Sequence, residues 1–233
     1  MSNLITLDVL DKDGAIRETA DAAGATRADF LKKGGLAGAG FVAGGVLFQG
    51  LVSPAEAQIS TRRKSARNDV RILNYALTLE YLEAEFYKQA NASGALTDAA
   101  VVRFATVTAE HEAEHVAALR EALGSSAVRK PSFDFKDTVT NQDKFKATAQ
   151  VLEDTGVAAY AGQGPNISQR GVVKVALSIH SVEARHAAWI RYINGGANAQ
   201  TAVSDLPAPR TFDPARSERA TLEAVGDTGF ITD

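Results

Sequence analysis

The sequence contains no cysteine among its 233 residues. Disulfide bonds, thiolate metal sites and cysteine nucleophiles are therefore excluded, and any bound metal must be held by oxygen atoms and imidazole nitrogens. The chain also lacks an excess of charge of one sign, since 25 basic residues stand against 28 acidic ones for a formal net charge of −3. This balance argues against a nucleic-acid-binding surface or partner.

Two common signatures of enzymes are absent as well: a glycine-rich nucleotide-binding loop and a nucleophile elbow. What the chain does contain is 45% hydrophobic residues, enough for a core at this length. From Asn68 onward, apolar side chains recur at three- and four-residue spacing, which is the period of amphipathic helices. An all-α fold is therefore predicted for this part of the chain.

Four long helices are predicted from the capping residues and glycines that bound the periodic segments. In chain order, the predicted boundaries are Asn68 to Gly94, Thr97 or Asp98 to Gly124, Asn141 to Gly162 or Pro165, and Ile167 to Gly195–Gly196. The links between the first and second helices and between the third and fourth are short, which predicts two antiparallel hairpins.

The link between the second and third helices, residues 124–139, is longer. Its 16 residues could span roughly 50 Å when extended, whereas a helix of about 24 residues is roughly 36 Å long. The link can therefore run along the whole bundle, and the prediction is an antiparallel four-helix bundle with one long crossover. Residues 197–233 are rich in Pro, Ala and Asp and are predicted to form an irregular tail that packs on the bundle, with a short helix near Ser217–Val225.

The most informative motif is a Glu-x-x-His pair that occurs twice, each time with a lone glutamate on the preceding predicted helix. The two sets are Glu80, Glu112 and His115, and Glu153, Glu183 and His186. The lone glutamate precedes its pair by 32 residues in the first set and by 30 in the second. This order of residues on four helices is that of a two-metal site inside a helix bundle.

A single Glu-x-x-His pair is most often just part of a solvated helix face. The repetition argues against this reading, because both pairs lie among small or apolar residues and all four histidines of the chain fall on the two helices that carry the pairs. Four inward carboxylates also repel one another and are costly to bury. Two divalent cations with neutral histidines would cancel their charge, so the pattern predicts a site for two metal ions.

A second spacing repeats in both halves of the chain. Tyr87 follows Glu80 by seven residues, and Tyr160 follows Glu153 by seven, so each phenol is predicted to lie on the face of its own glutamate. Each hydroxyl is either a hydrogen-bond partner beside the metals or an ordinary core tyrosine. Glu83 is an alternative to Glu80 as a ligand, and the repeated Glu–Tyr spacing favours Glu80.

Residues 1–57 are typical of an export segment. The sequence TRADFLKKGG precedes a glycine-rich apolar run at residues 34–52, and residues 55–57 form a plausible cleavage site. TRADFLK resembles the twin-arginine export motif, although Arg27 is followed by Ala28. The prediction is an exported protein of the periplasm or cell envelope, with membrane attachment through residues 34–52 if the segment is retained.

At TLEYLEAEFYKQA, AEHEAEHVAALREALG, AQVLEDTGVAAYAGQGP and HSVEARHAAWIR, the chain resembles the ferritin-like family that includes plant desiccation-related proteins and their bacterial relatives. The resemblance covers about residues 62–196. It implies a ferritin-like four-helix bundle with a di-iron or di-manganese site. By that resemblance, the ligands would be Glu80, Glu112, His115, Glu153, Glu183 and His186.

The resemblance is less specific about the reaction, since the wider superfamily includes ferroxidases, rubrerythrins, manganese catalases and di-iron oxygenases. Glu and His ligands without a thiolate suit iron or manganese, and ligand type alone also allows zinc. The expected function is redox chemistry on peroxide or dioxygen in oxidative or desiccation stress, of the peroxidase, catalase or ferroxidase type. The alternative is a non-enzymatic protein that sequesters metal or has a structural role in the envelope. Either protein could be a homo-oligomer.

Overall fold

A computed structural model describes residues 59–196 and 206–233, and the export-type segment predicted at residues 1–57 lies outside them. The described residues form five α-helices and no strand beyond one isolated bridge between Phe133 and Ile231. The helices are α1 (Ala66–Ser93), α2 (Ala99–Leu123), α3 (Gln142–Gln163), α4 (Arg170–Gly195) and α5 (Glu218–Thr228). Short 3-10 helices occur at Gly124–Ser126, Lys136–Val139 and Gly164–Asn166. The predicted all-α class is confirmed, and none of the described helices is long and apolar enough to cross a bilayer.

The start of α1 differs from the prediction, because the N-cap is Ser65 and not Asn68. The Ser65 hydroxyl accepts a hydrogen bond from the Asn68 N–H at 3.1 Å. The side chain of Asn68 serves another purpose: it accepts from the Ser60 N–H at 2.7 Å and donates to the Ser60 carbonyl at 3.0 Å. Asn68 therefore holds the segment before the helix, and the helix begins at Ala66.

The link between α2 and α3 runs along α1. Near the start of α1, the Asn74 side chain accepts a hydrogen bond from the Val128 N–H at 2.8 Å. Eleven residues further along the same helix, Glu85 pairs with Lys130. The link thus passes α1 from its beginning toward its end, which confirms the predicted long crossover and makes α3 antiparallel to α1.

Asp69 joins the start of α1 to the start of α4. Its buried carboxylate accepts hydrogen bonds from the backbone N–H groups of Ser168 and Gln169 at 2.8 and 3.0 Å, and from both of their side chains. Burial by itself would raise the pKa of Asp69, but these four donors hold it below its ordinary value. These hydrogen bonds give partners to backbone N–H groups at the start of α4, where the helix itself supplies none. They also hold the starts of α1 and α4 together, so that the two helices run side by side in the same direction.

The core is apolar on both sides of the middle of the bundle. On α1, Leu77 precedes Glu80, and Phe86 follows it; Phe86 stacks on Phe145 of α3 with ring centroids 5.3 Å apart. Leu77 packs in a separate apolar cluster with Leu119 of α2. Buried apolar side chains thus lie on both sides of Glu80 along α1, and the predicted ligands lie at the level between them.

The C-terminal residues pack on the bundle through backbone hydrogen bonds. The Arg216 N–H donates to the Ala158 carbonyl of α3 at 2.9 Å, and the Asp134 N–H donates to the Phe230 carbonyl at 2.8 Å. The short helix predicted near Ser217–Val225 is present as α5, which Ser217 caps.

Candidate metal centre

The six predicted ligands lie together inside the bundle, and each of the four long helices contributes at least one. They are Glu80 on α1, Glu112 and His115 on α2, Glu153 on α3, and Glu183 and His186 on α4. The four carboxylates are at most 1% exposed. Acidic side chains are almost never buried to this degree without partners, so the cluster requires compensation by positive charge.

The six residues form two overlapping groups of four, and in each group the ligand atoms lie within 4.8 Å of one another. The first group is Glu80, Glu112, His115 and Glu183, and the second is Glu112, Glu153, Glu183 and His186. Glu112 and Glu183 belong to both groups. The cluster therefore has two halves that meet at these two central carboxylates, and it could hold a metal ion.

In the first half, three carboxylates surround the Nδ1 atom of His115. This nitrogen lies 3.2 Å from Oε2 of Glu80, 3.3 Å from Oε2 of Glu112 and 3.0 Å from Oε1 of Glu183. Nδ1 is the atom that His115 presents to the cluster.

The second half repeats this arrangement around Nδ1 of His186. That nitrogen lies 3.2 Å from Oε1 of Glu112, 3.3 Å from Oε2 of Glu153 and 4.0 Å from Oε2 of Glu183. Glu112 thus turns Oε2 toward His115 and Oε1 toward His186, and Glu183 divides its two oxygens between the same histidines. Each central glutamate spans both halves.

Several polar atoms of the cluster are buried without a hydrogen-bond partner. They are Oε1 of Glu112, Oε2 of Glu153, both oxygens of Glu183 and Nδ1 of His186. His186 Nδ1 is close to carboxylate oxygens, but these contacts lack the alignment of a hydrogen bond. A buried polar atom without a partner destabilises the fold, and these oxygen and nitrogen atoms carry lone pairs that could bind a cation. The residues present therefore fit a metal centre.

The pKa values show the same demand for positive charge. Burial, and then the negative charge of Glu80, raise the pKa of Glu112 well above its ordinary value, and burial and Glu112 do the same to Glu183. Burial alone would lower the pKa of His115, but the close carboxylates of Glu112, Glu183 and Glu80 outweigh it and raise the pKa to about 12. The cluster favours bound protons, which a divalent ion would replace.

The two predicted tyrosines contact ligand glutamates, but in a crossed arrangement. The Tyr160 hydroxyl on α3 donates to Oε1 of Glu80 on α1 at 2.6 Å, and the Tyr87 hydroxyl on α1 donates to Oε1 of Glu153 on α3. Each phenol lies seven residues from the glutamate of its own helix, on the same inward face, but its hydroxyl reaches the glutamate of the other hairpin. The two hydrogen bonds leave Oε2 of each glutamate free to face a histidine.

Glu83 is a further buried carboxylate, close to Glu183 at Gly156, and it belongs to neither group of ligand atoms. It is 3% exposed, and burial followed by the charges of Glu183 and Glu153 raises its pKa well above the ordinary value. A Cβ atom at Gly156 would lie 3.5 Å from Oε1 of Glu83 and 3.3 Å from Oε2 of Glu183. Gly156 thus leaves room for both carboxylates, a role that sequence reasoning missed. The signal was the repeat itself, since Gly156 follows Glu153 at the spacing at which Glu83 follows Glu80.

A third histidine supports the second half of the cluster. Nδ1 of His111 lies 2.9 Å from Nε2 of His186, and the two rings stack with centroids 5.2 Å apart. With Nε2–H of His186 donating to His111, Nδ1 of His186 carries a lone pair toward the carboxylates. His111 is exposed on α2, and its spacing alone did not distinguish this contact from an ordinary surface position. His180 belongs to neither group of ligand atoms, and its buried Nε2 has no hydrogen-bond partner among the described residues.

An antiparallel helix bundle with one long crossover and a buried Glu/His cluster at its middle defines a class of proteins able to bind metal between helices. The family model described as a ferritin-like domain matches residues 68–196, more than half of the chain and all six ligand positions. The chain belongs to the ferritin-like domain family. A comparison with functionally curated proteins gives no match.

Proposed function

We propose that this chain is an exported protein that binds two divalent ions, iron or manganese, and uses them in redox chemistry on peroxide or dioxygen during oxidative or desiccation stress. The observation that carries the proposal is the division of Glu112 and Glu183 between the two halves of the cluster, with one oxygen toward each histidine. Carboxylates placed in this way would be shared between two ions. One ion would leave half of the ligand atoms without a partner.

In this proposal Glu80 and Glu153 would each serve one ion, and His115 and His186 would each present Nδ1 to one ion. Four carboxylates and two divalent ions give a neutral centre, which offsets the cost of burying the charges. Zinc accepts the same ligand types but has no redox chemistry, so iron and manganese fit the proposed activity better.

When bound, two such ions together supply two electrons. With two protons, these electrons reduce dioxygen to hydrogen peroxide, or hydrogen peroxide to two waters. Iron(II) arriving as substrate, or a second peroxide molecule, would give the two electrons back to the centre. The residues of the chain provide the setting. Tyr87 and Tyr160 orient Glu153 and Glu80 through hydrogen bonds, and the apolar clusters on both sides exclude water from the centre.

Export and a stress role rest on the sequence pattern of residues 1–57 and on the family resemblance. The substrate would be a small oxidant or a metal ion, and the chain could remain attached to a membrane if residues 34–52 are retained. Two measurements test export and the retention of residues 34–52: fractionation of cells that express the full chain, and mass spectrometry to find the N-terminal residue of the recovered protein. Recovery in the cytoplasm would contradict export.

One observation favours the alternative, a protein that sequesters metal without turnover. Of the six ligands only His115, at 9% exposed, has appreciable contact with solvent, and such burial slows the exchange of ligands. Assays of peroxide consumption and of iron(II) oxidation on the metallated protein separate the two functions. The proposal predicts turnover that His186→Ala abolishes and that His180→Ala on the same helix leaves intact. Absence of turnover with both ions bound would favour sequestration.

A further inference from the structure

A small cavity lies at the end of the bundle where α1 and α4 begin and α2 and α3 end. It measures about 20 Å³, and roughly 10–15 Å³ is enough to hold one water-sized molecule. Its wall is almost entirely carbon and is formed by buried side chains that include Ile72, Ala76, Leu79, Leu119 and Ala176. The cavity is far smaller than a site for an organic substrate, which occupies roughly 300–1,000 Å³.

The cavity reaches the metal centre through one side chain. Tyr160 forms part of its wall, and the hydroxyl of the same residue donates to Oε1 of Glu80 at 2.6 Å. Ala76, also in the wall, precedes Glu80 by one helical turn on α1 and so lies on the same face. A molecule in the cavity is therefore separated from a ligand of the first half by the ring of Tyr160.

The wall selects the occupant by polarity. Water and hydrogen peroxide would lose most of their hydrogen bonds on entering a site whose wall exposes almost no polar atoms, at a cost of several kcal/mol. A small apolar molecule has no such bonds to lose, and apolar cavities of proteins stay dry while they bind xenon or other apolar guests. Of the two oxidants under consideration, dioxygen matches both the size and the polarity of the cavity.

We propose that this cavity binds dioxygen and supplies it to the Glu80 side of the metal centre. The inference rests on the proposed function and narrows it, because it names dioxygen and not peroxide as the oxidant that the bundle admits by this route. The step is one of binding and passage, in which no bond is formed or broken.

Xenon tests the binding step without any metal. Crystals of the metal-free protein under xenon pressure should show a xenon atom beside Ile72, Ala76 and Tyr160. Ala76→Leu should remove it by filling the cavity, whereas Ala90→Leu, at a buried position of the same helix beyond Glu80, should retain it. If Ala76→Leu does not fold, Ala176→Leu fills the cavity from α4. A wild-type protein without xenon at this place would overturn the proposal.

Rates test the passage. With metal bound, Ala76→Leu should lower the second-order rate constant for dioxygen several-fold and leave that for peroxide unchanged. Equal rates of the variant and the wild type with dioxygen, or an equal fall with both oxidants, would overturn the route and leave the proposed function intact. A metallated wild type that reacts with neither oxidant would instead overturn the proposed function, and the route with it, even if xenon binds.

Discussion

The hydroxyl of Tyr160 on α3 donates a hydrogen bond to Oε1 of Glu80 on α1 at 2.6 Å. The other oxygen of Glu80 lies 3.2 Å from Nδ1 of His115, so the tyrosine fixes one carboxylate oxygen and thereby aims the other into the cluster. Tyr87 acts in the same way on Glu153 from the opposite hairpin. The two hairpins are joined through the ligands themselves.

Replacing Tyr160 by Phe removes this hydrogen bond and keeps the ring. We expect the affinity for one of the two ions to fall by about 10–100-fold, the usual effect of losing a partner that orients a ligand. Titration of the metal-free protein with Mn(II) measures the effect. Tyr192→Phe, at a position 52% exposed on α4, is the control and should bind as the wild type does. Unchanged affinity in Tyr160→Phe would contradict the role of the hydrogen bond.

The metal-free protein should lose stability as the pH rises. The folded-state pKa values of Glu112 and Glu183 lie well above the ordinary 4.5, and that of His115 rises from 6.5 to about 12. Between its unfolded and folded pKa values, each group binds more protons in the folded state, so the free energy of unfolding falls with increasing pH. We therefore expect it to decline from about pH 5 to about pH 8 in chelator, and bound metal to remove the decline. Urea unfolding across this range checks both, and a rise with pH in chelator would contradict the sign.

Gly156→Ala should weaken metal binding although it favours the helix. Alanine stabilises a helix interior by about 1 kcal/mol relative to glycine, but its Cβ would lie 3.3 Å from Oε2 of Glu183 and 3.5 Å from Oε1 of Glu83. We expect Glu183 to be displaced, with lower affinity for both ions by metal titration. Gly171→Ala on α4 meets nothing within 4 Å and should bind metal normally. Equal affinities of the two variants would show that Gly156 has no part in the site.

Gly162→Ala should loosen the C-terminal residues from the bundle. A Cβ at this position would lie 1.9 Å from the carbonyl oxygen of Arg216, too close for either backbone to stay in place. We expect a loss of about 1–3 kcal/mol of stability, as for other overpacked positions. Hydrogen exchange should also become faster at the Arg216 N–H, which is bonded to the Ala158 carbonyl. Gly171→Ala again serves as the control, and unchanged exchange in Gly162→Ala would refute the tight contact.

The features predicted well from the sequence depend on spacing along one helix or on chain length. The Glu-x-x-His pairs and their upstream glutamates could be placed because helical periodicity fixes which side chains share a face. The crossover could be predicted because a 16-residue link is long enough to span the bundle. Asp98 and Asn141 cap α2 and α3 as their positions predicted.

The features missed depend on how two helices meet. Tyr87 lies seven residues after Glu80, a rise of roughly 10 Å, so the phenol cannot reach that carboxylate and instead reaches Glu153 across the bundle. Asn68 matched the rules for an N-cap, but its side chain is hydrogen-bonded to the backbone of Ser60. Ser60 lies in an irregular segment, so no periodic pattern in the sequence predicts this contact. The role of Gly156 depends on two carboxylates from α1 and α4, which the sequence of α3 does not contain.

The central claim is that Glu112 and Glu183 are shared between two ions, and metal stoichiometry across matched variants tests it most directly. By elemental analysis the wild type should bind about two equivalents of iron or manganese per chain, and Glu114→Gln, at an exposed position of α2, should keep both. Glu80→Gln should lose mainly one, whereas Glu112→Gln should lose both because it contributes to both halves. A wild type with one equivalent or none, or a Glu112→Gln variant that still holds two, would contradict the account.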